Sequence, residues 1–303
     1  MQTLQLTASA DGIQLSLAYM EPQGSPKGIV QLVHGMCEHK ERYFSLMEYF
    51  CGAGYVCVIH DHRGHGGSVK SADDLGYMYD GGWKAMVEDV ELVRSWSAKM
   101  WPGLRRILMG HSMGSMVVRS YVKRYDSQVD TLIVCGSPSY NPAAGFGRML
   151  AALTAFFSKE GWHHRPKILQ KLSFGTYNKP FEDEGFPSAW VCSDVQTLKE
   201  YHKDPLCQFI FTSNGFFNLL GLMKDCYSPR GWALANPAMK VRFVSGEDDP
   251  CRGSNRQHAG SVELMRKVGY RDVRSRIFPG MRHEILNETG RHAVWSYILS
   301  LFD

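Results

Sequence analysis

Ser112 stands in Gly110-His111-Ser112-Met113-Gly114, a G-x-S-x-G pattern that directly follows the apolar run 106–109. A sharp turn between a strand and a helix would push the serine hydroxyl out of a sheet. The glycines two residues either side leave room for the backbone to pass. An apolar helix over 116–125 would follow, with its N-terminus beneath the serine. The chemistry open to such a serine is nucleophilic, but a hydroxyl is a poor nucleophile at its free pKa. It needs a base within hydrogen-bond reach, and a carboxylate to hold that base in the right tautomer.

The rest of the chain supplies both groups in order. Catalytic groups of a parallel sheet emerge at the C-terminal ends of strands, so the acid is expected after the strand at 241–246, in Glu247-Asp248-Asp249-Pro250. The base is expected after the last strand, where Pro279-Gly280-Met281-Arg282-His283-Glu284 puts His283 in the loop before the final helix. An oxyanion hole would take one amide from Met113, the residue after the serine. The second would come from the turn His34-Gly35-Met36, with the Met36 amide best placed.

These residues need a frame. Strand-like runs recur at 13–19, 28–34, 55–61, 106–109, 131–136, 241–246 and 275–278, with helical patterns between them at 43–53 and 82–99. The second carries Trp83, Met86, Val87, Val90, Val93 and Trp96 at helical spacing. Near-continuous apolar strands alternating with amphipathic helices predict an α/β class with a mostly parallel sheet covered on both faces. The alternation breaks across an aromatic-rich, helical stretch. The expected organisation is therefore a core over 1–138, a helical cap inserted at 139–237, and a return to the same core over 238–303.

Other chemistries fit less well. Closely spaced histidines with a carboxylate, as in His60-Asp61-His62-Arg63-Gly64-His65, suggest a zinc site, but Gly64 occupies the position that an H-x-H-x-D-H run gives to aspartate. A turn after the strand explains the run, so no metal is expected. Gly64-His65-Gly66-Gly67 lacks the G-K-[ST] ending of a phosphate loop, and no cofactor is expected. Glu38 and Arg42 read as a structural ion pair near the oxyanion loop. With 303 residues, 44% hydrophobic and 21% charged, the chain can bury a large core. Its net charge of +4 is unclustered and implies no nucleic-acid partner. Eight cysteines without C-x-x-C spacing suit a reducing compartment. The polar N-terminus and the lack of an 18-residue apolar run give a cytoplasmic expectation.

Taken together, the motifs resemble the α/β-hydrolase fold, and within it the monoacylglycerol lipase and lysophospholipase group of serine hydrolases, of serine aminopeptidase type. The resemblance rests on His34-Gly35-Met36-Cys37-Glu38-His39 with Arg42-Tyr43, on Asp61-His62-Arg63-Gly64-His65-Gly66-Gly67-Ser68, and on the Ser112 pattern. It continues through residues 246–250 and Arg282-His283-Glu284-Ile285-Leu286-Asn287-Glu288. It implies a triad of Ser112, His283 and Asp249, since the family's acid is the third residue after the strand-end glycine; Asp248 remains the rival. It also implies hydrolysis of a small-molecule acyl ester through an acyl-enzyme. The same machinery could serve an aminopeptidase, thioesterase, acyltransferase or carbon–carbon hydrolase, or survive in a receptor without turnover. A peptidase would need an acidic pocket, for which Glu182, Asp183 and Glu184 are the available run. The aromatic cap offers a surface for transient contact with a membrane or micelle. Phe216 and Phe217 are expected to line an acyl tunnel.

Overall fold

In the computed structural model, which describes residues 1–302, the most apolar runs become the interior of one sheet. β3 (Gly28–Val33), β4 (Tyr55–His60) and β6 (Thr131–Cys135) are buried at every position. β5 (Arg106–His111) and β7 (Lys240–Gly246) are buried at all but the first. With β1 (Gln2–Thr7), β2 (Gln14–Met20) and β8 (Asp272–Phe278) they form an eight-stranded sheet in the order β1-β2-β4-β3-β5-β6-β7-β8. Every pairing from β4 to β8 is parallel, whereas β2 runs antiparallel to both β1 and β4. This is the expected α/β-hydrolase architecture.

Alternation along each strand decides which helices it meets. Ile107, Met109, Ile133, Cys135 and Val244 face α1 (Phe44–Gly52) and α9 (Arg291–Leu299), packing with Met47, Phe50, Trp295 and Ile298. Their neighbours Leu108, Leu132, Val134, Val241 and Phe243 face the other way. There they pack with α2 (Gly82–Met100), α3 (Met113–Tyr125) and α8 (Asn255–Val268), through Met86, Val90, Val117, Tyr121 and Met265. Each such side chain contributes about 1.5–3 kcal/mol by leaving water, so the sheet is anchored on both faces.

Between β6 and β7 the chain passes through α4 (Ala144–Phe157), α5 (Lys167–Phe174), α6 (Val195–Lys203) and α7 (Ser213–Cys226). α7 is not detached from the core. Phe216 and Leu222 belong to the same buried cluster as Met86 and Val90 of α2 and Val117 of α3. Two side-chain caps set the starts of these helices: Asp194 accepts from the Thr197 amide ahead of α6, and Thr212 from the Gly215 amide ahead of α7.

The N-terminus differs from the sequence reading. Residues 2–7 read as merely polar, yet they form β1, because an edge strand needs apolar residues on one face only and Leu4 and Leu6 supply it. β8 begins three residues earlier than expected, at Asp272. Its Arg274 and Arg276 are exposed at the open edge, which hides its strand character in the sequence. α3 starts at Met113, directly after the serine, rather than at residue 116. Among the described residues no helix is long and apolar enough to cross a membrane. All eight cysteines are buried and unpaired.

Candidate active site

Ser112 occupies the junction of β5 and α3 with φ 53° and ψ −117°, a conformation that few non-glycine residues adopt. Its neighbours explain why glycines flank it. A Cβ at Gly110 would lie 2.3 Å from the Gly114 carbonyl oxygen, and one at Gly114 would lie 2.1 Å from the carbonyl oxygen of Val33. The turn is held open from within the sheet, since the Ser112 amide donates to the Cys135 carbonyl at 3.0 Å. Ser115 caps the turn by donating its hydroxyl to the Ser112 carbonyl at 2.6 Å.

The chain ends of β7 and β8 bring the other expected groups to this hydroxyl. His283 Nε2 lies 2.8 Å from Ser112 Oγ, and Nδ1 lies 3.0 Å from Asp249 Oδ1. Asp249 is buried and also accepts from the Cys251 amide at 2.8 Å, which fixes its rotamer. Asp248 is exposed, and its amide bonds the Met281 carbonyl, so it stands outside this chain of contacts. Met36 and Met113 both border the cavity above Ser112. The loop carrying Met36 is close, since a Cβ at Gly35 would come within 3.0 Å of Ser112 Cβ. Met113 opens α3, so its N–H is among the first-turn donors that have no acceptor within the helix.

Glu38 and Arg42 pair at 3.3 Å, but Arg42 also makes a two-pronged contact with Glu284, at 2.6 and 2.7 Å. The pair therefore bridges the loop after β3 to the loop carrying His283. Glu38 receives the Gly35 amide, the Tyr43 hydroxyl at 3.0 Å and His111 Nδ1 at 3.2 Å. Burial works against its ionisation, yet the bond and charge of His111, together with Arg42, bring its carboxyl down to about 2. Sequence reasoning missed His111 and Glu284. Only their place beside the serine and the histidine could have flagged them.

Above the serine lies a cavity of about 580 Å³. Its apolar wall includes Phe174, Trp190, Phe209, Leu219, Leu220 and Met223, mostly from the stretch between β6 and β7. Trp190 stands 5.3 Å from the His283 ring, centroid to centroid, and the neighbouring Val191 carbonyl accepts from the Glu284 amide at 2.8 Å. The expectation for Phe216 and Phe217 is corrected here. Phe216 is fully buried edge-on to Phe211, and Phe217 turns outward to Trp162 and Arg148. Packing accounts for Phe216, which is drawn into the cluster with α2 and α3, while Leu219, Leu220 and Met223 farther along α7 border the cavity. Glu182 and Asp183 are exposed away from the cavity, and Glu184 pairs with Arg282.

The histidines of the turn after β4 do not converge on Asp61. That carboxylate receives the Lys40 ammonium at 2.7 Å, the Lys40 amide at 2.7 Å and the Gly67 amide at 2.8 Å. His60, His62 and His65 are buried with His34 in edge-on contact, and burial holds all of them below the usual histidine range, His60 and His65 at about 4. Among the described residues, the donor atoms that do gather are those of Asp249, Cys251 and His283, and those of His39, Asp204 and Cys207. In the second group His39 is already shared between Asp204, at 2.6 Å, and Glu41.

Comparison with known proteins bears on the family and the fold. A "Monoacylglycerol lipase" of Mycolicibacterium smegmatis is 28% identical over 293 residues, which is 97% of this chain and 94% of that one. The solved structure of a thermostable carboxyl esterase from Bacillus coagulans superposes with a TM-score of 0.88 at 24% identity, covering 100% of this chain and 99% of the other. A soluble variant of monoglyceride lipase from Saccharomyces cerevisiae gives a TM-score of 0.73 at 20% identity, covering 100% and 94%. Residues 24–290 match the family described as "Serine aminopeptidase, S33". With the elbow, the sheet and this match in agreement, the chain belongs to the serine aminopeptidase S33 family of α/β-hydrolases.

Proposed function

We propose that this protein cleaves lipid-like carboxylic esters, of the monoacylglycerol or lysophospholipid kind, through a covalent acyl-enzyme. It is a serine ester hydrolase by family and by its relatives. The observation that carries the reading is the unbroken contact from Ser112 Oγ through His283 to Asp249, at 2.8 and 3.0 Å, beneath a mostly apolar cavity. In the reading this supports, His283 Nε2 takes the Ser112 proton as Oγ attacks the ester carbonyl. Asp249 stabilises the imidazolium, and the amides of Met36 and Met113 receive the oxyanion. Collapse expels the alcohol, which takes the proton from His283. Water then repeats the sequence on the acyl-enzyme and releases the acid.

An ester is favoured over a peptide by the acids around the cavity. A free amino terminus calls for an uncommitted carboxylate. Among the described lining residues the carboxylates are Glu38 and Glu284, one held by Gly35, Tyr43 and His111 and the other by Arg42. The inserted helices act, in this reading, as a cap over the site that also meets lipid. α4 exposes Phe146, Phe156 and Phe157, α5 exposes Ile168 and Leu172, and Lys159, Lys167 and Lys171 lie beside them. Lys167 and Lys171 also border the cavity, so its mouth opens next to this face. Apolar side chains ringed by lysines suit an anionic lipid surface.

Ser112→Ala is the direct test. It should abolish labelling by a fluorophosphonate probe and reduce turnover of a monoacylglycerol by several orders of magnitude, with melting unchanged. More than a tenth of the turnover remaining would sink the mechanism. A series of nitrophenyl esters tests the substrate class, for which kcat/KM should rise from acetyl to medium chains. Phe156→Ser with Phe157→Ser should weaken sedimentation with anionic vesicles while sparing short soluble esters.

A further inference from the structure

His111, the second residue of the serine motif, is fully enclosed and faces an oxygen acceptor at each ring nitrogen. Nδ1 lies 3.2 Å from Glu38 Oε1, and Nε2 lies 3.2 Å from the main-chain carbonyl of His283. A carboxylate that already receives the Gly35 amide, the Tyr43 hydroxyl and Arg42 cannot donate, nor can a carbonyl oxygen, and a neutral imidazole has one N–H. One of the two contacts would then set a bare lone pair against an oxygen. The site is also shaped around the ring: a Cβ at Gly35 would stand 3.4 Å from Nδ1, and one at Gly136 would stand 3.0 Å from Nε2.

We propose that His111 carries a proton on both nitrogens and acts as a cationic staple, a positioning residue that ties the oxyanion-loop carboxylate Glu38 to the backbone of the catalytic-histidine loop. The staple spans three elements. Glu38 holds the Gly35 amide beside Met36, His111 precedes Ser112 on β5, and its second proton fixes the peptide of His283 itself. Nucleophile, base and oxyanion donor thus share one buried charge, and loss of one proton releases two loops together.

The groups around it set the sign. Glu38 faces it from the loop after β3, with Arg42 and Tyr43 behind. Glu284 and the His283 ring, 4.8 Å away between centroids, face it from the loop after β8, and the Cys135 backbone pairs with it from β6. Burial opposes the charge, but the Glu38 bond and the charges of Glu38 and Glu284 outweigh it, so His111 is raised above the ordinary histidine value. A raised value means the staple is intact below it and fails as pH climbs through it. The high-pH edge of the active window is then set by His111.

The functional consequence rests on the triad reading, but the protonation state does not, and the two can fail separately. The first experiment is 15N NMR of histidine-labelled wild-type protein at neutral pH. Both ring nitrogens of His111, assigned by difference from His111→Gln, are expected to be protonated and to lose a proton only at alkaline pH. A neutral ring with one bare nitrogen at pH 7 overturns the proposal, whatever the kinetics. The second is the pH profile of kcat for wild type and His111→Gln on a short nitrophenyl ester. The variant should lose roughly tenfold to a hundredfold in kcat, with KM less affected, as for one or two charge-assisted bonds. It should also lose the alkaline edge, because glutamine does not titrate. An alkaline edge unchanged in the variant overturns the proposal. If His111→Gln does not fold, the wild-type histidine signals followed through a pH titration decide the matter. A turnover that survives Ser112→Ala would refute the triad without touching the His111 result.

Discussion

At Gly114 an added carbon would lie 2.1 Å from a backbone oxygen of β3, whereas at Gly145 in α4 the nearest atom, the Lys224 ammonium, is 3.8 Å away. The two helices concerned differ in the same sense throughout. α3 buries every residue from Met113 to Lys123, while α4 leaves Phe146, Met149, Leu153, Phe156 and Phe157 in solvent. The contrast separates two design problems. The turn at Ser112 is fixed by backbone packed on backbone, where nothing can yield, while the helices between β6 and β7 are specified by apolar bulk on a few faces.

The largest effect expected on the rigid side is chemical. Asp249→Asn should lower turnover by about 10⁴-fold through the wrong imidazole tautomer, while Asp248→Asn changes it little; steady-state rates at neutral pH decide, and the reverse ranking would move the acid to Asp248. Next comes Gly114→Ala, for which the clash with Val33 should cost about 3 kcal/mol or more. Chemical denaturation would expose a smaller figure, and so a softer elbow than the contacts imply. On the yielding side, Leu220→Ala removes apolar wall from the cavity. It should lower kcat/KM for a medium-chain ester roughly tenfold relative to a butyryl ester, whereas Phe217→Ala should leave that ratio alone. The smallest effect should reverse sign. Gly145→Ala lies in a helix with open space and should stabilise by about 0.5–1 kcal/mol, measured as a rise in melting temperature.

The same contrast explains what was legible in the sequence. Motifs that sit where the backbone is crowded, such as the glycines around Ser112, announce themselves because only one residue type fits. The order of strands carried His283 and the run 247–250 to their loops, and the family resemblance singled out Asp249 within that run, so both candidates could be named without coordinates. Faces of the helices between β6 and β7 could not be. Phe216 and Leu220 have the same helical phase in sequence, and only the packing of α7 against α2 and α3 separates the buried phenylalanine from the leucine that borders the cavity. β1 was invisible for another reason: one-sided burial leaves two leucines in a polar run. His111 was legible as part of a motif, yet its double-acceptor environment arises from residues 38 and 283, far apart in the chain.

The buried cysteines amount to a set of clocks for opening. All eight cysteines are buried in the native state, and for those that do not border the cavity the rate at which a bulky reagent modifies each one reports how often its surroundings come apart. Cys57 and Cys135, in β4 and β6, can react only when the sheet itself separates. Cys192 lies among the helices between β6 and β7, and Cys251, two residues from Asp249, borders the cavity as Cys207 does. If the helices between β6 and β7 move independently of the elbow, the thiol at 192 will tick faster than those at 57 and 135.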